Sequence, residues 1–333
     1  MGTQALVTIV IPNYNHAAYL EQRIDSVLNQ SFQDFELYIL DDYSTDQSID
    51  VINNYKDHIK VKSIIRNSSN SGTLFKQWVK AINLSKGKYL WIAESDDFSH
   101  PDFLQETVAI AEQHQDIGLV FTDTNIVNAS GVFIEKVSKV NNILSNSKEA
   151  KFIKIEDRNK VLNNFISDLI IWNASSVLFK TNALKKIDLN LIQSLKNAGD
   201  LFTYISIALK NNIIYLNMPL NYYRSHDNNT TKKNIASGSL FGDRQTIIIY
   251  FIKELHELEN SKSHLKSFFS RNFLTAIDFK LYKKVNKLLK AYYNYKIISL
   301  FSYLHLSLYI FCSRVFRKTP YKYRSYIKSI LAK

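Results

Sequence analysis

Between Leu6 and Thr122 the chain alternates short, β-branched apolar runs with stretches of helical periodicity, and every apolar run stops at polar residues. Leu6–Ile11 ends at Pro12 and reads as a buried strand. Ala18–Leu28 places Ala18, Leu20, Ile24, Val27 and Leu28 on one helical face. Phe35–Leu40 is a second strand, stopped by Asp41-Asp42. Gln47–Tyr55 reads as a helix, Val61–Ile65 as a strand, Leu74–Leu84 as a helix and Tyr89–Ala93 as a fourth strand. Pro101 opens another helix with Ser99 as its expected cap, and Gly118–Thr122 is a fifth strand. Strand and helix in alternation imply a mostly parallel α/β sheet covered on both faces. Such sheets bind ligands at the carboxyl ends of their strands, which is where the polar clusters fall.

Further along, Ile170–Lys180 reads as a strand, Asp200–Lys210 as a helix and Ile213–Leu216 as a strand. Asn141–Asn159 is polar, lacks periodicity and reads as a loop. Asn228–Ser239 is rich in Asn, Thr, Lys and Ser and marks a boundary. Everything beyond it has helical character. The organisation expected is an α/β domain over residues 1–235 and a helical, basic region over 236–333.

The chain has 333 residues and a net charge of +12, from 42 basic and 30 acidic side chains. Residues 279–333 hold 13 Lys and Arg and no Asp or Glu, so residues 1–278 are left at −1. A nucleic-acid enzyme is expected to place positive charge around its reactive site. Here the body is neutral and the tail is cationic, which argues for a docking surface and against a nucleic-acid partner. The lone Cys312 allows no intrachain disulfide and suits a reducing cytoplasm. Met1–Val10 has no basic stretch leading into an apolar one, so no secretory leader is expected.

Five clusters can carry chemistry, and each also has a structural reading. Pro12-Asn13-Tyr14-Asn15 offers a ring for stacking on a base and amides to bond it, or is a turn. Asp41-Asp42-Tyr43-Ser44-Thr45-Asp46 offers a carboxylate to a base N–H or a ribose hydroxyl, or is a set of helix caps. Glu94-Ser95-Asp96-Asp97 gathers three acids within four residues, which repel one another unless a cation sits there. Their oxygens suit Mn²⁺ or Mg²⁺, although an acidic loop can simply be solvated. Gly199-Asp200 opens a helix, where the carboxylate can serve as a general base or as an N-cap. In Tyr222-Tyr223-Arg224-Ser225-His226, Arg224 or His226 can meet a diphosphate or a metal, or lie in an exposed loop.

In their order these clusters resemble glycosyltransferase family 2. The resemblance rests on Val7 to Asn15, on Ser26-Val27-Leu28-Asn29-Gln30-Ser31-Phe32, on Phe35-Glu36-Leu37, and on Asp41 to Asp46. It continues through Asn70-Ser71-Gly72 and Gly87-Lys88-Tyr89-Leu90 and covers about residues 5–230. It implies a GT-A fold, which is a Rossmann-like nucleotide-diphospho-sugar transferase sheet, here with a helical C-terminal extension. It implies inverting hexosyl transfer that depends on Mn²⁺ or Mg²⁺. The donor is a nucleotide sugar, expected to be a UDP-sugar, and the acceptor a glycan or lipid-linked hydroxyl of the cell envelope.

By the same resemblance Pro12, Tyr14, Asn15, Asp42, Asn70, Ser95 and Asp96 contact the nucleotide sugar. Asp96, Glu94 and His226 hold the metal, Asp200 is the base, and Trp172-Asn173-Ala174-Ser175-Ser176 borders the acceptor. Two positions depart from the family pattern: Glu94 replaces an Asp, and Gly199 replaces a Glu. They keep open a second reading, a nucleotide-sugar-binding scaffold that has lost its activity.

The tail contains 17 residues without Asp, Glu, Lys or Arg between Lys296 and Arg314. On a helix, Ile297, Leu300, Phe301, Leu304, Leu308, Phe311 and Val315 share one face, with Ser299, Ser302, Tyr309 and Ser313 opposite. The expectation is an amphipathic helix lying on an anionic membrane, on the inner face of the cell membrane. The alternative is that the apolar face packs against protein.

Overall fold

The computed structural model describes residues 4–137, 150–167, 170–226, 239–258, 261–316 and 329–330. The strands are β1 (Val7–Asn13), β2 (Phe35–Asp41), β3 (Val61–Arg66), β4 (Tyr89–Ile92), β5 (Phe98–Ser99), β6 (Ile117–Val127), β7 (Phe133–Val137), β8 (Phe152–Ile155), β9 (Val177–Lys180) and β10 (Asn212–Arg224). The helices of the first part are α1 (Ala17–Leu28), α2 (Ser48–Asn53), α3 (Leu74–Leu84), α4 (Phe103–Gln113), α5 (Arg158–Ser167), α6 (Thr181–Leu184), α7 (Leu189–Ser194) and α8 (Gly199–Ala208). Then follow α9 (Ser239–His256), α10 (Ser261–Asp278), α11 (Tyr282–Asn294) and α12 (Leu300–Phe316).

The strands form one mixed, mostly parallel sheet in the order β3-β2-β1-β4-β9-β6-β10-β5, with β7 beside β6 and β8 beside β10. Helices cover both faces of it. The four strands with the plainest β-branched patterns, β1 to β4, are all parallel, and β9 runs against β4 and β6. Their inward residues, among them Val7, Ile9, Ile11, Leu37, Ile39 and Trp91, are fully buried against Leu20, Ile24 and Val27 of α1. Burying such side chains contributes roughly 1.5–3 kcal/mol each.

Register places the rim. Val7 to Asn13 pair in parallel with Phe35 to Asp41, and Val7 to Val10 with Tyr89 to Ile92. The chain therefore leaves β1, β2 and β4 side by side, at Tyr14, Asp42 and Ala93. A parallel sheet needs no side-chain chemistry to bring those three loops together.

Several expected elements differ in extent. The strand expected over Ile170–Lys180 is only β9, preceded by a 3₁₀ turn at Ala174–Ser176, because Asn173 and Ser175 turn inward to hydrogen-bond. Ser99 lies in β5 rather than capping a helix, and Asp102 occupies the N-cap of α4. The loop expected over Asn141–Asn159 contains β8 and the start of α5; residues 138–149 lie outside the described ones. The last strand is longer than expected, from Asn212 to Arg224, with register shifts around Pro219 that let a proline sit in it.

Two compact units are present. The first comprises residues 1–158, 170–195 and 199–227, and the second residues 159–169, 196–198 and 228–333. The second unit's long segment begins at residue 228; residues 227–238, which hold the boundary expected within Asn228–Ser239, are outside the described ones. The second unit is helical. Its core includes Leu255, Leu265, Phe269, Val285, Leu289 and Tyr292, and the Tyr292 hydroxyl donates to the Leu265 carbonyl at 3.0 Å.

Candidate active site

At the end of β1 and β2 the polar side chains mostly bind one another. The Asn13 amide donates to Asp41 Oδ1 at 2.9 Å and to Ser44 Oγ at 3.1 Å. Asn15 has φ +56° and accepts from the Thr45 N–H at 2.8 Å. Asp46 accepts from the N–H groups of Ala17 and Ser48 near the starts of α1 and α2, so its capping reading holds. Pro12 is buried in the sheet, while the Tyr14 and Tyr43 rings are each 45% exposed at the rim. Tyr43 has φ +65°, a left-handed conformation that costs a non-glycine residue about 1–2 kcal/mol. The Arg66 guanidinium lies over its ring at 5.4 Å from the centroid and donates to the Ser44 carbonyl.

Asp42 is occupied from within. Its carboxylate accepts from the Asn67 amide at 2.6 Å, the Ser71 N–H at 2.9 Å, the Ser71 hydroxyl at 2.7 Å and the Gln77 amide at 2.9 Å. It thereby folds the 67–72 loop over the end of β2. Asn70 sits in that loop, donating to the Asp42 carbonyl and accepting from the Gly72 N–H. Asp42 thus ties the 67–72 loop and Gln77 of α3 to the end of β2.

The acid run after β4 divides into distinct roles. Asp97 is buried and accepts from the Arg224 N–H, the Ser175 hydroxyl and the Asn173 amide. It ties the end of β10 and the 3₁₀ turn to the acid run. Asn173 and Ser175 are buried partners of this aspartate. Burial, with repulsion from Asp96, pushes the Asp97 carboxyl up to about 7.

Glu94 is raised well above the ordinary carboxylate range by burial and by the charges of Asp97, Asp96 and Asp200. Asp200 lies in the first turn of α8, and its charge is one of those acting on Glu94. For Asp96, burial opposes ionisation, but the His226 hydrogen bond and the charges of His16 and His226 outweigh it and hold the carboxyl low. His226 Nε2 lies 3.1 Å from Asp96 Oδ2. Ser95 is buried, with its hydroxyl 2.8 Å from His16 Nδ1.

One ligand atom each from His16, Asp96 and His226 lies within 4.8 Å of the others. This donor set fits a divalent ion. It differs from the expected set: Glu94 is not among the three. Its main chain is pinned by Ser175 Oγ and by Arg23 Nε, and its carboxyl charge is felt by Asp200 and Tyr204. Arg224 differs too, since its guanidinium donates to the carbonyls of Asp96 and Ala129 at 2.8 Å each and so holds the loops instead of facing a ligand.

Sequence reasoning passed over two residues. His16 stands alone in a polar turn and carries no local signal. Arg23 sits on the apolar face of α1 and is fully buried. Its Nε donates to the Glu94 carbonyl at 2.8 Å. Burial lowers the Arg23 guanidinium to about 10, with Asp97, Asp96 and Glu94 opposing the fall. It is therefore a permanent positive charge beneath three acids. Its one trace in the sequence is a charged residue on an otherwise apolar helical face.

Gly199, where the family has Glu, is also explained. A Cβ at Gly199 would lie 2.5–2.9 Å from the ring atoms of Phe75, which is itself buried against Trp78. The aromatic ring occupies the space a side chain needs. Asp200 is inside the first turn of α8 rather than capping it, a position the helix dipole favours for an acid.

Residues 8–172, which carry most of this sheet and rim, match the family model for glycosyl transferase family 2. The chain carries a glycosyltransferase family 2 domain over residues 8–172 and has the GT-A fold. It is 26% identical over 220 residues to the poly(ribitol-phosphate) beta-N-acetylglucosaminyltransferase TarS of Staphylococcus aureus; the match covers 65% of this chain and 35% of TarS. The chain thus spans about a third of that relative. Among solved structures, S. aureus TarS 1-349 in complex with UDP-GlcNAc superposes with TM-score 0.63 at 18% identity, covering 87% of this chain and 80% of that one. The mannosyltransferase PcManGT from Pyrobaculum calidifontis, in complex with GDP-Man and Mn²⁺, does so with TM-score 0.52 at 13% identity, covering 99% and 86%.

Proposed function

We propose that this chain is an inverting, metal-dependent glycosyltransferase that moves a sugar from a UDP-sugar to a hydroxyl of a glycan or lipid-linked acceptor in cell-envelope assembly. The observation that carries the reading is the meeting of Asp96, His226 and His16 at the strand ends, with Asp200 electrostatically coupled to the same acid run. The UDP-GlcNAc complex of TarS and the polyol-phosphate acceptor in that relative's name support the choice of donor and acceptor class.

In this reading Tyr14 stacks on the base, and Pro12, Asn15, Asp42 and Asn70 form the walls of the nucleotide cleft. Asp96 and His226 hold Mn²⁺ or Mg²⁺, and Ser95 supports the site from beneath. A bound divalent ion neutralises charge on the departing diphosphate. Asp200 takes the proton of the acceptor hydroxyl as its oxygen attacks the anomeric carbon from the face opposite the diphosphate. One displacement inverts the anomeric centre. Arg23 offsets negative charge of the acid run near the diphosphate.

The test is to incubate the protein with a panel of sugar nucleotides and Mn²⁺. Stabilisation by one nucleotide sugar together with release of its nucleoside diphosphate is expected. Stabilisation without release over hours supports the inactive scaffold instead.

We further propose that α12 docks on an anionic membrane. Leu300, Phe301, Leu304, Leu308 and Phe311 are 53–62% exposed, whereas Leu306, Tyr309, Ile310 and Ser313 are buried. The face expected to be apolar and free is largely so, except that Ile297 is buried; the side chain of Val315 lies outside the described ones. Contrary to expectation, Tyr309 and Ser313 are not on an outer polar face. Among the described residues no helix is long and apolar enough to cross a membrane.

Removing residues 279–333 would also strip Val285, Leu289 and Tyr292 from the core of the second unit. Substitution of Phe301, Leu304 and Leu308 by Glu is therefore the cleaner test. This variant is expected to lose cosedimentation with phosphatidylglycerol vesicles while unfolding at the wild-type temperature. Undiminished sedimentation counts against docking.

A further inference from the structure

Building on the metal-dependent reading above, we infer that His16 is a third protein ligand, and that the resulting two-histidine, one-carboxylate set selects Mn²⁺ and its first-row neighbours over Mg²⁺. His16 occupies the N-cap position of α1 but makes no side-chain cap bond. Its ring turns to the acid run, where Ser95 Oγ lies 2.8 Å from Nδ1. Serine buried at this point fixes the imidazole in the way outer hydrogen bonds orient metal-binding histidines.

The partner imidazole arrives from the far end of the domain sequence. His226 follows β10, which Asp97 clips to the acid run through the Arg224 N–H at 2.9 Å. The two imidazoles meet edge to face, with centroids 5.9 Å apart. Tyr19 packs against both, at 6.2 Å from His16 and 5.0 Å from His226, and the Arg224 guanidinium covers Tyr19 at 4.8 Å. The side chains of Ser95, Asp97, Tyr19 and Arg224 thus hold the two imidazoles at the Asp96 carboxylate, with His226 already 3.1 Å from it.

The donor set decides the ion. Mg²⁺ demands oxygen ligands in near-ideal octahedra and dehydrates reluctantly. Imidazole suits Zn²⁺, Cu²⁺, Fe²⁺ and Ni²⁺, and Mn²⁺, served by the carboxylate, opens the same first-row series that mixed nitrogen and oxygen sites bind. Two histidines and one carboxylate leave coordination positions open, which is what a ligand with two phosphate oxygens requires.

Tag-free full-length protein is titrated with Mn²⁺ and with Mg²⁺ by calorimetry, with and without UDP, and bound Mn²⁺ is examined by electron spin-echo spectroscopy. Modulation from two imidazole nitrogens is expected in the wild type and from one in His16→Gln. Mn²⁺ is expected to bind at least ~10-fold more tightly than Mg²⁺, and His16→Gln to lose about 10–100-fold in Mn²⁺ affinity, the scale of disturbed metal shells. One nitrogen in the wild type, or Mg²⁺ binding as tightly as Mn²⁺, overturns the inference while leaving the Asp96 metal reading in place. If neither ion binds the wild type, with or without UDP, both fall. The wild-type spectrum decides the ligand count even if the variant fails to fold.

Discussion

Replacing Asp200 with Asn is expected to leave nucleotide-sugar binding near the wild-type level and to cut transfer by about 10²–10⁴-fold, the usual contribution of a general base. Asn keeps the volume of Asp and can still accept the Leu201 N–H at the 2.8 Å contact Asp200 now makes. What it loses is the ability to take a proton. The two measurements separate the roles: calorimetry with UDP reports the cleft, and acceptor-dependent UDP release reports the base. Wild-type turnover in this variant would remove Asp200 from the reaction. A loss of both binding and folding would mark it instead as structural, a role its place in the first turn of α8 does not require.

Asp96→Ala should abolish the metal-dependent part of donor binding. Its carboxylate is the one acid of the three-residue cluster and the hydrogen-bond partner of His226. Without it, two imidazoles remain beside Asp97 and Glu94, whose carboxyls are both pushed up chiefly by burial. The expected result is that Mn²⁺ no longer strengthens UDP binding, while the metal-independent contacts at Tyr14 and the 67–72 loop persist. Titrating UDP with and without Mn²⁺ checks it. A variant whose UDP affinity still rises with Mn²⁺ as the wild type's does would show that the ion is held elsewhere.

The departures that kept an inactive scaffold in view now have structural accounts. Gly199 is small because Phe75 lies on its Cα, so its identity reports packing at the start of α8 and leaves Asp200 in place. Glu94 is held by its main chain, and His16 stands in the cluster where a first acid was expected. Neither substitution takes away a group that the proposed reaction uses.

Strands β1 to β4 and helices α1 and α3 were legible because each is a local pattern. A β-branched run of four to seven residues cannot bury itself as a solvated helix, and a 3.6-residue period needs no distant partner to be recognised. The carboxyl rim was legible for the same reason, since parallel strands deliver their following loops to one edge. Asp96, His226 and Asp200 stood out as candidates because each follows or opens such an element. The 3₁₀ turn at Ala174–Ser176 was hidden, as its cause is a hydrogen bond to Asp97 from residues 76 and 78 positions away.

The sequence by itself determined the order of strands and helices, the acidic rim and the segregation of cationic charge into the last fifty-five residues. These depend on side-chain period and on charge, which are properties of neighbours along the chain. Tertiary structure alone decided that His16 joins Asp96 and His226, that Arg23 lies beneath the acids, that Asp42 is engaged by its own loop, and which side of α12 stays exposed. Each of these depends on distance across the fold, where Coulomb and hydrogen-bond energies are set by a few ångströms that no local pattern encodes.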